Sequence, residues 1–186
     1  MLNSFFDKFI FTNGLKYRHN NFFLLNIPFL IVPREVLTAI ASQKNPELHR
    51  VLYSSVKHGV RENLSRQFNL DFGLKGEKSL HLFEQFFTAS GWGKISNLNI
   101  DPAKKQAVVV VDNSPIAFAL EGKVDWEVDH FLRGILAGIF SVYFKADVDT
   151  VEHACLATGE ERCEFIIKRF KEFDLTKKQS REQLSV

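Results

Sequence analysis

The stretch from Val151 to Phe165 constrains this chain more than any other. It holds both cysteines of the sequence, Cys155 and Cys163, on either side of a turn that contains Gly159. Apolar residues run into the turn, and Phe165-Ile166-Ile167 runs out of it. This pattern predicts a β-hairpin with a short glycine-containing loop. With Thr158-Gly159-Glu160 as the loop and Gly159 at positive φ, residue 157 pairs with 161 and Cys155 lies across from Cys163. Their Cβ atoms then stand about 5 Å apart on one face. Such a pair can be half of a tetrahedral metal site, two thiols of an apolar core, or a cross-strand disulfide. Glu152 precedes Cys155 by three residues, so a regular strand would turn it to the other face, whereas His153 has the matching parity. Ligation by Glu152 requires a bulge or bend just before Cys155.

Two cysteines in 186 residues fit a reducing compartment, and a cytoplasmic location is expected. The N-terminus, with Asp7 amid Phe5, Phe6, Phe9 and Ile10, lacks a cleavage-like site. No apolar run approaches the roughly 18 residues that span a bilayer, so no membrane span is expected. A net charge of +2 gives no nucleic-acid footprint. The length suits one domain with a substantial core. The 19 phenylalanines bury area without a polar handle, which suits either a Phe-rich core or an aromatic-lined cavity. There is no phosphate loop, no His-Glu-x-x-His and no nucleophile elbow. Gly91-Trp92-Gly93 follows a helix and precedes a strand, the wrong context for a dinucleotide, so catalysis is not expected.

Residues 3–11 read as a short amphipathic helix, and His19-Asn20-Asn21 as a hairpin turn between two strands. Pro33 and Pro46 open helices. In the second, Leu48, Leu52, Val56, Val60, Leu64 and Phe68 recur at i+4, a stripe that wraps around the helix and must meet more than one neighbour. Residues 71–76 read as a loop, and 77–90 as a helix ended by Gly91. Lys94–Ile100 and Gln106–Val111 read as strands, the second with a β-branched run typical of a central strand. Glu127–Phe144 reads as the most apolar helix, with Gly134, Ala137, Gly138 and Ser141 forming a strip of small residues for close packing on the sheet or across a dimer. The polar tail from Lys171 reads as a solvated or frayed helix.

Glu-x-x-Cys-x7-Cys, as Glu152, Cys155 and Cys163 ahead of an apolar strand, resembles the C-terminal half of the 4-vinyl reductase domain. Asp129-His130-Phe131-Leu132-Arg133-Gly134-Ile135-Leu136-Ala137-Gly138 is similar to that family's helix, and Asn113-Ser114-Pro115-Ile116-Ala117 to the short segment before it. The resemblance covers about residues 90–170. The family includes sensor domains of phenol- and xylene-responsive activators, proteins linked to bacteriochlorophyll synthesis, and subunits of vesicle-tethering complexes. It implies an α+β fold, an antiparallel sheet with helices packed mainly on one face. Residues 31–170 would form the domain, 1–30 an N-terminal helix and hairpin offering a dimer contact, and 171–186 a polar tail.

In the sensor members the trio binds zinc together with a cysteine at the start of the upstream helix. Registered on Gly134 and Gly138, that position is Asp129 here, a departure from the pattern. Aspartate can ligate zinc through oxygen, and His130 beside it is a better zinc ligand by type. The fourth donor is therefore Asp129, His130 or His153. The resemblance further implies a small-molecule-binding sensor module with a structural zinc, taking a hydrophobic or aromatic ligand. Its pocket is expected to be lined by His81, Trp92, Phe118, Phe131 and Ile135. A homodimer and a separate signalling partner follow from the same likeness. Two other readings remain: an enzyme or accessory protein of tetrapyrrole vinyl reduction, and a ligand-free dimeric interaction module.

Overall fold

The computed structural model describes residues 15–24, 27–64 and 77–184. The expected helix of 3–11, the loop of 71–76 and the far end of the i+4 stripe at Phe68 lie outside the described residues. The fold is α+β with antiparallel sheets. A three-stranded meander comes first: β1 (Leu15–Arg18), β2 (Asn21–Leu24) and β3 (Ile27–Phe29). Its first turn places His19 and Asn20 at φ of 50° and 61°, the geometry of a two-residue hairpin loop. Helices α1 (Arg34–Ala41) and α2 (Pro46–Gly59) follow, α2 continuing as a π-helical turn over Val60–Leu64. The Asn45 side chain accepts from the Glu47 and Leu48 amides, and Pro46 takes the first turn, so the start of α2 is fixed locally.

Helix α3 (Glu77–Ala89) leads to the main sheet through Gly91. That sheet has the order β4-β5-β7-β6, with β4 (Lys94–Asp101), β5 (Gln106–Asp112), β6 (Asp149–Ala154) and β7 (Cys163–Lys168), all neighbours antiparallel. The valine run of β5 lies in the interior of the sheet and is buried from Val109 to Val111, as its β-branched composition implies. Between β5 and β6 the chain forms a short helix α4 (Pro115–Leu120) and then α5 (His130–Phe144). Alternation along β7 turns Cys163, Phe165 and Ile167 into the main core with Leu132, Leu136 and Phe140 of α5. The opposite face carries a smaller cluster of Val151, Phe173 and Leu184 with Ile166, under helix α6 (Lys178–Leu184).

The two glycines of the small-residue strip of α5 pack on α2 rather than on the sheet. A Cβ on Gly134 would stand 2.8 Å from both the Tyr53 carbonyl oxygen and Val56 Cβ, and one on Gly138 would stand 2.8 Å from Val60 Cβ. Val56 and Val60 belong to the i+4 stripe, so the stripe of one helix sits in the glycine notches of the other. Close approach of this kind is available only where the Cβ is missing. Two other expectations change. Helix α5 begins at His130 rather than Glu127: Asp129 has a non-helical backbone, φ −85° and ψ 47°, and its free amide donates to a Glu152 carboxylate oxygen. The tail forms the expected helix, but it is docked, with Ser180 and Leu184 buried. Among the described residues no helix is long and apolar enough to cross a membrane.

Candidate metal centre

The hairpin of β6 and β7 brings the cysteines together as their spacing implies. Ala154 pairs with Glu164, which continues the register toward Cys155 opposite Cys163. Both sulfurs are free and buried. Beyond Cys155 the ladder stops: Leu156–Thr158 form a 3-10 turn, so the expected pairing of residue 157 with 161 does not occur. Gly159 closes that turn at φ 96°, the left-handed backbone that favours glycine. The Leu156 amide donates to Cys163 Sγ at 3.4 Å, a contact that only the tight turn allows.

Glu152 reaches the sulfurs through the irregularity that the parity argument demanded. The β6–β7 register shifts between Glu152 and Ala154, and the extra residue, His153, is exposed. Glu152 is thereby turned to the side of Cys155, fully buried. Ligand atoms of Glu152, Cys155 and Cys163 all lie within 4.8 Å of one another, a candidate metal-binding cluster.

Asp129 comes to the same place from the start of α5. It precedes the first helical residue, where aspartate ordinarily caps the helix with its side chain, yet it makes no such bond. Its carboxylate turns instead toward the hairpin, where Oδ1 accepts from Ser114 Oγ at 2.9 Å and the amide donates to Glu152 Oε2 at 3.1 Å. Asp129 Oδ2 and Glu152 Oε1 are buried with no hydrogen-bond partner among the described residues.

The electrostatics are those of a site short of positive charge. Burial pushes the Asp129 carboxyl up to about 6, against the lowering effect of hydrogen bonds from Ser114 and Cys163. Burial also raises Glu152 well above the usual carboxylate range, reinforced by the neighbouring Cys155 and Asp129. The hydrogen bond between the two thiols raises Cys163 and lowers Cys155. Four acidic groups buried together, two of them with a carboxylate oxygen unpaired among the described residues, cannot all ionise unless a cation joins them. The trio of two thiols and one carboxylate fits zinc by type, and Asp129 would supply a fourth donor.

His130 points elsewhere. Its ring stacks on His49 of α2 at 3.8 Å between centroids, and Nδ1 lies 3.5 Å from Arg133 Nη1. Burial, helped by the charge of Arg133, drives the His130 pKa down to about 2. His153, on the bulge, is exposed. Of the candidate fourth donors, only Asp129 has its side chain turned to the sulfurs. Asp129 stands just ahead of α5 in a non-helical backbone, φ −85° and ψ 47°, so its side chain leaves the chain in a different direction from that of His130, the first helical residue.

Trp92, Phe131 and Ile135 pack half-buried against the main core. Phe118 lies on α4 with 56% of its surface exposed, since the inward positions of that helix are taken by Ile116, Ala117 and Leu120. His81 lies in α3, and its side chain is outside what the structure describes. Spacing gave no hint of the pair His49–His130, which two separate helices bring together, nor of Gln183 beside Glu152.

Residues 108–169 match the model of the 4-vinyl reductase domain family, in agreement with the resemblance carried by Glu152, Cys155 and Cys163. An uncharacterized protein of Methanocaldococcus jannaschii is 25% identical over 121 residues, which cover 65% of this chain. The chain spans 65% of the length of that relative. The fold is similar to that of the phenol-responsive sensory domain of the transcription activator PoxR, solved with phenol. The TM-score is 0.71 and the identity 13%, over 98% of this chain and 98% of that one. A vinyl-4-reductase family protein from Methanocaldococcus jannaschii matches with a TM-score of 0.40 and 19% identity, over 75% of this chain and 96% of that one.

Proposed function

We propose that this chain, with its 4-vinyl reductase domain match at residues 108–169, is a small-molecule-binding sensor module clasped by a structural zinc held by Glu152, Cys155, Cys163 and Asp129. The observation that carries the metal is the buried convergence of the trio's ligand atoms within 4.8 Å, joined by a carboxylate that leaves its own helix uncapped. With four protein donors there is no open position for water, so the ion serves the fold rather than a reaction. It would tie the hairpin to the start of α5.

The ligand in this reading is a hydrophobic or aromatic molecule. It is supported by the shared fold with a sensory domain that responds to phenol and by the half-buried Trp92, Phe131 and Ile135 on the main core. His81 would be its polar contact, as the resemblance implies, and Phe118, exposed on α4, would stand at the rim. The module acts in the cytoplasm as a homodimer and passes its signal to a separate partner. The exposed apolar run Leu30-Ile31-Val32, with Leu30 83% exposed, supports a contact between copies.

Metal analysis of the purified native chain tests the clasp: one zinc per chain is expected, and its loss in Cys155→Ser. A thermal-shift series of phenols and alkylbenzenes tests the pocket, with a rise in Tm for the matching ligand. A chain that holds zinc but is unmoved by every aromatic ligand would overturn the sensor reading and leave the clasp.

A further inference from the structure

Strand β6 is an edge strand of the main sheet, and in an antiparallel edge strand the backbone groups of alternate residues face outward, unpaired. Here those residues are Thr150 and Glu152, and side chains from three helices meet them. The Thr150 amide donates to the Tyr53 hydroxyl at 3.2 Å, and the Thr150 carbonyl accepts from Arg133 Nε at 3.0 Å. At Glu152 the partner is one residue of α6. The Glu152 amide donates to Gln183 Oε1 at 2.8 Å, and Gln183 Nε2 donates to the Glu152 carbonyl at 2.8 Å. The primary amide of Gln183 thus pairs with Glu152 as a peptide group of a neighbouring strand would. Gln179, one turn earlier, donates to the carbonyl of His153, the bulged residue itself, at 3.1 Å. The Gln183 carbonyl, near the end of α6, accepts from Arg133 Nη2 at 2.6 Å.

A bulge leaves backbone groups without ladder partners, and its geometry holds only when something else satisfies them. The geometry points to Gln183 as a positioning residue for Glu152: docking of the C-terminal helix fixes the bulge that turns this carboxylate onto the two sulfurs. Docking of α6 and occupancy of the metal centre are then one linked equilibrium, and linkage is reciprocal. A docked α6 raises zinc affinity, and bound zinc holds α6 down. Whatever engages the tail in a larger assembly reaches the metal centre through two glutamines.

This inference rests on the zinc reading, and the experiment separates the two. Zinc affinity is measured by competition with a chromophoric chelator for the full chain, for Gln183→Ala and for Arg181→Ala, an exposed position of the same helix. Outer contacts to metal ligands commonly contribute about 10- to 100-fold in affinity. We expect Gln183→Ala to bind at least about 10-fold more weakly and Arg181→Ala to bind as the native chain does. In the cobalt-substituted protein, Gln183→Ala should keep the thiolate charge-transfer band while its ligand-field bands change, a sign that the carboxylate and not the sulfurs has moved. Amide hydrogen exchange of residues 178–184 in the unmodified chain needs no variant, and zinc should slow it. Native zinc affinity and an unchanged cobalt spectrum in Gln183→Ala, or an α6 exchange rate indifferent to zinc in a chain that binds it, would overturn the linkage alone. A native chain that binds no zinc overturns the clasp and the linkage together.

Discussion

Asp129 and His130 are neighbours in sequence, yet their side chains serve two polar clusters of opposite character. On the hairpin side, Asp129, Glu152, Cys155 and Cys163 crowd proton-binding groups together, with two carboxylate oxygens left without partners among the described residues. On the α2 side, His130 stacks on His49 while the buried Arg133 bonds backbone carbonyls and lies over the Tyr53 ring at 4.5 Å. Tyr53 in turn donates to Asp149 at 2.7 Å, which also pairs with Lys57 at 2.8 Å. The second cluster brings its own cations; the first has none among its own side chains. Burial treats both alike by penalising charge, and what differs is whether the neighbours return it.

The largest expected effect comes from removing that cation. At a thousandfold excess over its dissociation constant, a bound ion adds about 4 kcal/mol to stability, so a strong chelator should lower the urea midpoint accordingly. Cys155→Ser should start from the lower value and ignore the chelator. On the α2 side, Arg133→Met leaves the Thr150 and Gln183 carbonyls without their donor and should cost about 3 kcal/mol in urea unfolding measured in chelator. If instead this variant is as stable as the native chain, the α2 cluster is not the charge-paired network drawn above.

Smaller effects sharpen the contrast. Gly138→Ala gains up to about 1 kcal/mol of helix propensity, but its Cβ would press on Val60 Cβ at 2.8 Å. Overpacking wins, and a net loss of about 2 kcal/mol is expected. The smallest effect is a pH dependence seen only without metal. A folded-state Asp129 pKa of about 6, above the ordinary 3.8, favours the folded chain below the ordinary value and loses that favour as pH rises through 6. In chelator, the native chain should therefore gain about 1 kcal/mol relative to Asp129→Asn between about pH 7 and about pH 5. His130, held down near 2, works in the other direction, costing stability as pH falls below 6.5, and is common to both proteins. With zinc bound, acid should weaken the chain instead, since the donors must release protons to bind the ion.

Much of the hairpin was legible because its determinants are local. A glycine between two cysteines eight residues apart sets both register and face, and the parity of Glu152 required a bulge that the structure has between Glu152 and Ala154. The valine run of β5 announced an interior strand for the same reason. The partner of the small-residue strip was not legible. Gly134 and Gly138 say that some backbone approaches closely, but any helix, strand or second chain could supply it, and only the docked α2 decided. The tail was read as solvated since its polar residues look alike in sequence, whether they meet water or a strand edge; Gln183 meets the strand.

By itself, then, the sequence determined what alternates, turns and caps within a few residues: the antiparallel hairpin, its paired thiols and the condition that Glu152 joins them only through a bend before Cys155. Tertiary structure alone decided that Asp129 rather than His130 faces those thiols, that α2 fills the glycine notches, and that α6 holds the edge of β6. These are choices among neighbours distant along the chain. Spacing records which face of an element is apolar or open, and packing against a particular partner assigns what that face will meet.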